Sequence, residues 1–539
     1  MPTITFLPRN VSIEMPGSAP LLEAARLAGV FVQTPCGGKG TCGKCRCQVS
    51  GPVDFDNAKG LDLPQGEVLI CMTKIRDADV AVTLPEEKVE IGKFDGSVDV
   101  KPYMPDELDG YVKIAEIQVA APAMLDGLSD LDRFRRAFRA WLLQNKQKID
   151  SVDVPLSALR DLPEKLRQNE GHLTVFYALE KNENAARIIS VEAITAVAAE
   201  TDRAASDIGD KPRFYGAAVD IGTTTVALWL TDLATGEILF SRTSYNGQID
   251  CGLDVISRIN YAHKYLPELT KRILGTINSL LDLSRVDLSH VMSFSLTGNT
   301  TMIHLLLGVV AEYIRLSPYT PAVMAPPVYT ASQIGLYGCP EAPVLMAPAV
   351  GSYVGGDITA GALCTSLAQE SDDTILFIDI GTNGELLLGS QEFLFGCACS
   401  AGPAFEGGGI RHGMRASAGA IEKVAIDASG KAIISTIENA PPVGLCGSGV
   451  ISLVAELFRT GLIDMAGRFM DGCSYVKRVG RVAEYQVCEN VVLTEVDIDN
   501  FIRAKAAIFS ACQTLIESVG LAFGDIDRFY VAGGFGRFL

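Results

Sequence analysis

GAAVDIGTTTVALWLTDLATGE, residues 216–237, and ILFIDIGTNGELLLGS, residues 375–390, share one grammar: an apolar strand, a tight Asp-Ile-Gly-Thr turn, and a second strand. The two aspartates, Asp220 and Asp379, stand 159 residues apart, a separation that predicts a duplicated fold with two facing lobes. Each turn can present backbone N–H groups and threonine hydroxyls to phosphate oxygens, while an aspartate at the strand end can hold a hydrated magnesium ion. The candidate phosphate-binding residues are therefore Gly222, Thr223, Thr224 and Thr225 in the first turn, and Gly381, Thr382, Asn383 and Gly384 in the second. For a lone hairpin the plainer reading is an Asp and a Thr that satisfy their own turn; two copies in one chain favour a shared nucleotide cleft.

Three further stretches sit around these turns. RFYVAGGFG, residues 528–536, is a strand running into a glycine-rich turn, in which Gly533, Gly534 and Gly536 would let a flat adenine or ribose approach the backbone. LTGNTTMIHLLLG, 296–308, predicts a strand, a turn and a helix capped by Asn299, Thr300 or Thr301. GLCGSGVISLVAEL, 444–457, opens another helix, whose N-terminus suits either packing or an anion.

Near the N-terminus, Cys36, Cys42 and Cys45 lie in TPCGGKGTCGKCRCQVSG with five and then two intervening residues, and Cys71 follows in EVLICMT. Glycines 37, 38, 40 and 43 allow the loop to curl around a cluster and aim N–H groups at its sulfurs. Buried thiols and a zinc site are the alternatives, although zinc knuckles usually pair two short cysteine hairpins and Cys71 stands alone. The spacing resembles that of adrenodoxin-like [2Fe-2S] ferredoxins, one residue longer than the plant type. Cys47 is expected to point away from the others and to pack. A hairpin over 3–14, a helix over 21–29 and strands near 46–50 and 67–71 complete a small ferredoxin-like unit.

At 539 residues the chain needs several cores. Its 48% hydrophobic and 20% charged residues are those of folded domains. A net charge of -18 leaves no basic face for a phosphate backbone, so nucleic acid is not an expected partner. The N-terminus lacks the layout of a signal peptide and no apolar run reaches a membrane span, which gives the expectation of a cytoplasmic, membrane-free protein whose 14 cysteines are thiols or metal ligands. Residues 93–110 mix Asp, Gly and Pro as a linker. Beyond them, strands at 111–120, 172–180 and 187–197 and helices at 131–144 and 155–168 predict a small α+β unit without a catalytic constellation. The expected division is 1–92, ferredoxin-like; 93–110, linker; 111–207, middle domain; 208–539, nucleotide-binding domain.

The turns at 220–225, 379–385 and 533–536 resemble, in content and order, the phosphate-1, phosphate-2 and adenosine motifs of the ASKHA superfamily, which includes acetate and sugar kinases, actin and the heat-shock chaperones. VGSYVGGDITAGAL places Asp357 where that superfamily carries its connect-1 acidic residue, a candidate for orienting the attacking water or a magnesium-bound water; a helix N-cap is the plainer role. With GNTTMIHLLLG, GGDITAGAL, ACSAGPAFEGGGI and GLCGSG, nearly the whole chain resembles the reductive activators of corrinoid proteins. The fold so implied is multidomain α/β and α+β: a β-grasp-like [2Fe-2S] ferredoxin domain, a small α+β middle domain and a duplicated, actin-like ASKHA domain. That last domain is expected to be C-terminally incomplete, since the chain stops at Leu539, three residues after the adenosine-like turn. The resemblance implies a [2Fe-2S] cluster on Cys36, Cys42, Cys45 and Cys71, ATP and Mg2+ as cofactors, and Asp220, Asp357 and Asp379 as catalytic carboxylates. It implies ATP-dependent reduction of a cobalt(II) corrinoid to cobalt(I) for a methyltransferase system, with a corrinoid protein and an external electron donor as partners; a homodimer is left open. The alternatives are ATP-linked electron donation to another low-potential acceptor, and a redox-sensing binding protein without ATP turnover.

Overall fold

The computed structural model describes residues 1–8, 10–28, 30, 32, 45–56, 66–84, 110–124, 126–168, 170–180, 184–193, 213–252, 254–368, 372–381, 383–414, 416–479 and 482–533. Of the linker expected at 93–110, residues 93–109 lie outside them, as do Cys36, Cys42, Thr382, Gly534 and Gly536.

In the N-terminal unit, β1 (Thr3–Leu7) alternates half-buried and buried residues, as a strand with one face on a core should. It pairs antiparallel with β2 (Val11–Glu14); then come α1 (Leu21–Leu27), β3 (Arg46–Ser50), β4 (Val53–Phe55), β5 (Glu67–Leu69), β6 (Thr73–Ile75) and β7 (Val80–Thr83). The five-stranded sheet has the order β2-β1-β7-β3-β5 with β1 and β7 parallel, and α1 closes its core through Leu21, Ala24 and Ala25 against Ile4, Phe6 and Val82. The strand expected to reach Cys71 stops at Leu69, and a 3-10 turn over Ile70–Met72 carries the cysteine.

The next unit runs β8 (Val112–Gln118), α2 (Asp130–Gln144), β9 (Ser151–Asp153), α3 (Leu156–Gln168), β10 (His172–Glu180) and β11 (Ala185–Ala193), with sheet order β8-β10-β11-β9. Ser129 caps α2 by accepting from the Asp132 N–H at 3.1 Å, and Phe134, Phe138 and Leu142, four apart, form its buried stripe. The helices cover one face of the sheet. From the other face Val112, Phe176, Ala178 and Ile189 enter the same core as Val219, Ile273 and Phe294, so this unit and the one after it share a core. Arg187 and Ser157 both reach Glu341 across that boundary, at 3.1 and 3.2 Å.

The repeated stretches fold as hairpins in two separate sheets. β12 (Tyr215–Ile221), β13 (Thr225–Asp232) and β14 (Ile238–Tyr245) form an antiparallel meander; after α4 (Val255–Leu283), β15 (Val291–Gly298) pairs parallel with β12. The helix α4 kinks at Tyr265, just before Pro267. Then follow α5 (Thr300–Leu307), β16 (Tyr329–Thr330), α6 (Ala331–Ile334) and β17 (Pro343–Met346), completing the order β14-β13-β12-β15-β17-β16. Next comes α7 (Gly356–Leu363). β18 (Ile375–Ile380), β19 (Gly384–Gly389) and β20 (Leu394–Cys399) repeat the meander. Two small sheets follow, β21 (Ala420–Ile426) with β22 (Ala432–Thr436) and β23 (Gly444–Leu445), and β24 (Val476–Val479) with β25 (Val482–Cys488) and β26 (Val491–Thr494). They pack with α8 (Gly447–Arg459) and α9 (Glu495–Ser518) before β27 (Arg528–Ala532) returns parallel to β18. In both sheets the first strand of the meander thus gains a later parallel neighbour on its free edge. α7 touches β15 of one sheet and β19 of the other, and its Ile358 is buried against Phe377 and Leu387. Among the described residues no helix is long and apolar enough to cross a membrane.

Candidate functional site

The first Asp-Ile-Gly-Thr turn is held from behind. After β14 the chain places Asn246, whose backbone N–H donates to the Thr224 carbonyl at 2.9 Å and whose Nδ2 donates to the Gly222 carbonyl at 2.8 Å. Arg258, 0% exposed on α4, donates to the Thr223 carbonyl between them, and also to the Gly252 carbonyl at 2.9 Å and Gln248 Oε1 at 3.2 Å. Three consecutive carbonyls therefore point into the lobe. In a trans peptide the C=O of one residue and the N–H of the next are opposed, so the N–H groups of Thr223, Thr224 and Thr225 face away from it, as a phosphate cradle requires. Asn299 caps α5, accepting from the Met302 N–H at 3.0 Å, and its Nδ2 donates to Thr223 Oγ1 at 3.0 Å. The capping role expected for Asn299 holds, and the same side chain also fixes a threonine of the turn.

Asp220 ends β12 between Ala227 and Thr297, and Asp379 ends β18 opposite Glu385 of β19. In the second turn the Gly381 N–H donates to the Asn383 carbonyl at 2.9 Å. Gly384 lies against Cys399, whose Sγ would be 2.7 Å from an added Cβ. Gly533 has φ +96° at the end of β27, where a Cβ would come within 2.3 Å of the Ile380 carbonyl oxygen and 3.1 Å of Asp379 Oδ1; a side chain there would strain the backbone and push on that aspartate. Asp357 is not the N-cap that its sequence allowed. Gly355 occupies the cap, Asp357 sits in the first turn of α7, and its Oδ1 accepts from the Ile358 N–H at 2.9 Å. Gly355 in turn lies on the start of α5, where a Cβ would be 2.4 Å from the Asn299 Cα.

Asp220, Asp357, Asp379 and Glu385 all have raised pKa values, from burial first and, in all but Asp357, from neighbouring aspartates. Burial first, then Asp357 and Asp379, push Asp220 up to about 7. Burial and Asp357 push Asp379 up to about 6, and burial raises Asp357. Glu385, 8% exposed, is pushed up to about 9 by burial and by the same two aspartates. Four carboxylates gathered from two sheets and the helix between them cannot all ionise without a counter-charge. Among the described residues no three of these carboxylates form a group that could ligate a metal ion directly, so what the acidic site suits is a hydrated divalent cation such as Mg2+, held through its own waters. Sequence reading missed Glu385, Asn246 and Arg258. Glu385 had a signal, since the hairpin register alone sets it across from Asp379.

Of the four cysteines expected to hold a cluster, Cys36 and Cys42 lie outside the described residues, while Cys45 and Cys71 have their sulfurs 3.2 Å apart. The Ile70 N–H donates to the Cys45 carbonyl at 2.9 Å, tying the loop's exit to the turn that carries Cys71. Two thiols this close at the edge of a β-grasp core fit soft, thiolate-ligated iron. Cys47 packs as expected, in the core at 2% exposure with its thiol pushed up to about 12 by burial; Cys45, just before β3, is buried in the same cluster.

Family models match the chain in four consecutive stretches: a 2Fe-2S iron-sulfur cluster binding domain over 4–76, the RACo linker region over 105–196, the RACo middle region over 215–370, and the C-terminal domain of RACo, the ASKHA domain, over 373–539. The corrinoid activation enzyme RamQ of Eubacterium limosum is 29% identical over 544 residues, covering 95% of this chain and 82% of that protein. The [Co(II) methylated amine-specific corrinoid protein] reductase of Methanosarcina barkeri is 25% identical over 356 residues, 60% of this chain and 64% of that one. Among solved structures, a reductive activator for corrinoid, iron-sulfur protein is 36% identical with a TM-score of 0.69, covering 99% of this chain and 86% of its own. A ferredoxin unit joined to an ASKHA domain, matched end to end in this way, makes the chain a member of the family of reductive activators of corrinoid proteins.

Proposed function

We propose that this chain uses ATP to drive transfer of one electron from a [2Fe-2S] cluster to a cobalt(II) corrinoid carried by a partner protein, regenerating cobalt(I) for a methyltransferase system. The observation that carries the ATP-linked part is the placement of the two Asp-Ile-Gly-Thr turns on two sheets, Asp220 at the end of β12 and Asp379 opposite Glu385 at the end of β18, with Asp357 on α7, the helix that packs against both sheets. Cys36, Cys42, Cys45 and Cys71 would hold the cluster, which when bound supplies one-electron transfer at a potential near about -400 mV. Each ~59 mV by which the acceptor lies lower costs tenfold in equilibrium, which gives a motive for coupling to a nucleotide.

This chain's own residues supply the coupling. The N–H groups of Thr223, Thr224 and Thr225, with Gly222, would cradle phosphate oxygens from one side, and Gly381, Thr382, Asn383 and Gly384 from the other. Gly533, Gly534 and Gly536 would leave room for the adenosine. Asp220 and Asp379 would hold magnesium-bound waters, Asp357 would orient the attacking water, and Glu385 would complete the acidic ring. Because these groups sit on different sheets, a bound nucleotide favours whichever lobe arrangement lets both turns reach it, and the equilibrium shifts by that differential affinity. Mixing the purified protein with reductant, a cobalt(II) corrinoid protein and Mg·ATP should give the cobalt(I) spectrum; equal yield and rate without ATP would remove the coupling.

A further inference from the structure

Each Asp-Ile-Gly-Thr aspartate has two ladder neighbours on its own face of the sheet, and in both lobes one is polar and the other is alanine. Asp379 is flanked by Glu385 of β19 and Ala532 of β27. Asp220 is flanked by Ala227 of β13 and Thr297 of β15. The polar neighbour changes sides between the lobes, from the hairpin strand in the second sheet to the parallel strand in the first. Thr297 is thus the counterpart of Glu385, with a neutral hydroxyl in place of a carboxyl.

A β-branched residue suits a strand whether or not its hydroxyl is used. What sets Thr297 apart is its oxygen: Oγ1 is buried and has no hydrogen-bond partner among the described residues. A valine of the same shape would avoid the penalty of an unpaired buried hydroxyl. The residues just after it are spent: Asn299 on the Met302 N–H and on Thr223 Oγ1, and Thr300 Oγ1 on the Gly351 carbonyl. Thr301 Oγ1 is also unpartnered, but it belongs to α5 and not to the strand face beside Asp220. Val219, Ile221 and Leu296, the alternate positions on the same two strands, are buried in the lobe's core, so Asp220 and Thr297 share the opposite face. On that face Ala218 and Ala227 leave room around Asp220.

A cation held through its own waters presents hydrogen-bond donors, since the water oxygens are turned to the metal. Those waters need acceptors, and a hydroxyl oxygen has two lone pairs to offer. A neutral acceptor also suits this place, because a further carboxylate would add to the charge that already raises Asp220. We infer that Thr297 Oγ1 and the Asp220 carboxylate together accept from the waters of a bound Mg2+, making Thr297 the neutral second anchor of the hydrated cation in the first lobe.

This rests on the nucleotide-site reading above. Its test is the affinity of the full-length protein for ADP, measured by calorimetry with Mg2+ and again in chelator; the ratio of the two is the cation's contribution. Thr297→Val and Thr297→Ala should shrink that ratio about fivefold to tenfold, as the loss of one hydrogen bond to the ion's waters implies, with ADP affinity in chelator unchanged. Thr297→Ser keeps the hydroxyl and should stay within about twofold of wild type. Ser295→Ala, exposed on the same strand face and opposite Ala218, is the control and should match wild type. Metal-free melting and iron-sulfur absorbance report whether each variant is folded. A wild-type ratio in both Thr297→Val and Thr297→Ala would overturn the inference. So would an equal loss in Thr297→Ser, which would make the role one of shape, or a Thr297→Val chain that unfolds without metal, which would make the hydroxyl a need of the fold itself. A wild-type chain that binds ADP no better with Mg2+ than in chelator, or not at all, would instead overturn the nucleotide-site reading, and Thr297's role with it.

Discussion

Glu385→Gln should make the cation-free protein more stable at neutral pH while damaging its nucleotide chemistry. Glu385 is pushed from the ordinary glutamate value of 4.5 up to about 9, so at pH 7 it is protonated in the folded chain and ionised in the unfolded one. Holding that proton costs the folded state a ceiling of about 3 kcal/mol at pH 7, which a neutral glutamine does not incur. For a unit of this size each kcal/mol is worth about 2–4 °C in melting temperature. Even half of the ceiling gives a rise of about 3–6 °C. The pH profile carries the sign. A carboxyl with a raised folded pKa contributes its full stability below the unfolded value and loses it as pH climbs through the folded value. Wild-type melting should therefore fall between about pH 5 and about pH 9, with Asp379 near 6 and Asp220 near 7 contributing to the same slope. The variant's profile should be flatter at the alkaline end. Thermal melts in chelator, followed by the fluorescence of Trp141 and Trp229, provide the measurement. A Glu385→Gln chain that melts below wild type at pH 7, or a flat wild-type profile, would refute the electrostatic account of the site.

Replacing Cys45 or Cys71 by serine should abolish or bleach the visible iron-sulfur absorbance of the purified protein; an unchanged spectrum and iron content would remove both from the ligand set. Gly533→Ala places a Cβ 2.3 Å from the Ile380 carbonyl oxygen at φ +96°, and is expected to cost about 1–3 kcal/mol and to raise the KM for ATP, with the cluster spectrum intact. Asn246→Ala leaves the Gly222 carbonyl without its side-chain donor, so a loss of about 1–3 kcal/mol should appear together with weaker ATP binding. A normal ATP affinity in that variant would show that the turn does not need its brace.

Much of the fold was legible because its signals are local. Alternating burial in β1, the Phe134, Phe138 and Leu142 stripe, and the twin Asp-Ile-Gly-Thr hairpins are each set by residues a few positions apart. The capping asparagine at 299 was legible for the same reason. What sequence could not give was anything decided by long-range packing. Arg258 reads as an ordinary helix residue until α4 folds its guanidinium under a turn 35 positions earlier. Val112 and Phe176 read as the core of a separate middle unit until the sheet's second face is seen to join the next lobe. Asp357 looked able to cap its helix because cap and first turn differ by only two positions, and the choice fell to the close approach of Gly355 to α5. The packing role of Cys47 was legible as well, since the structure buries it in the core.

The claim at the centre is that ATP and electron delivery are coupled in one protein. Stopped-flow absorbance of the pre-reduced protein mixed with a cobalt(II) corrinoid protein, with Mg·ATP or without nucleotide, tests it most directly. The account predicts that cobalt(I) forms only with Mg·ATP, one cobalt reduced for each iron-sulfur electron lost, and that Asp379→Asn stops it while leaving the starting spectrum unchanged. Cobalt(I) appearing at the same rate and yield without nucleotide, or ATP consumed with no cobalt reduced, would contradict it.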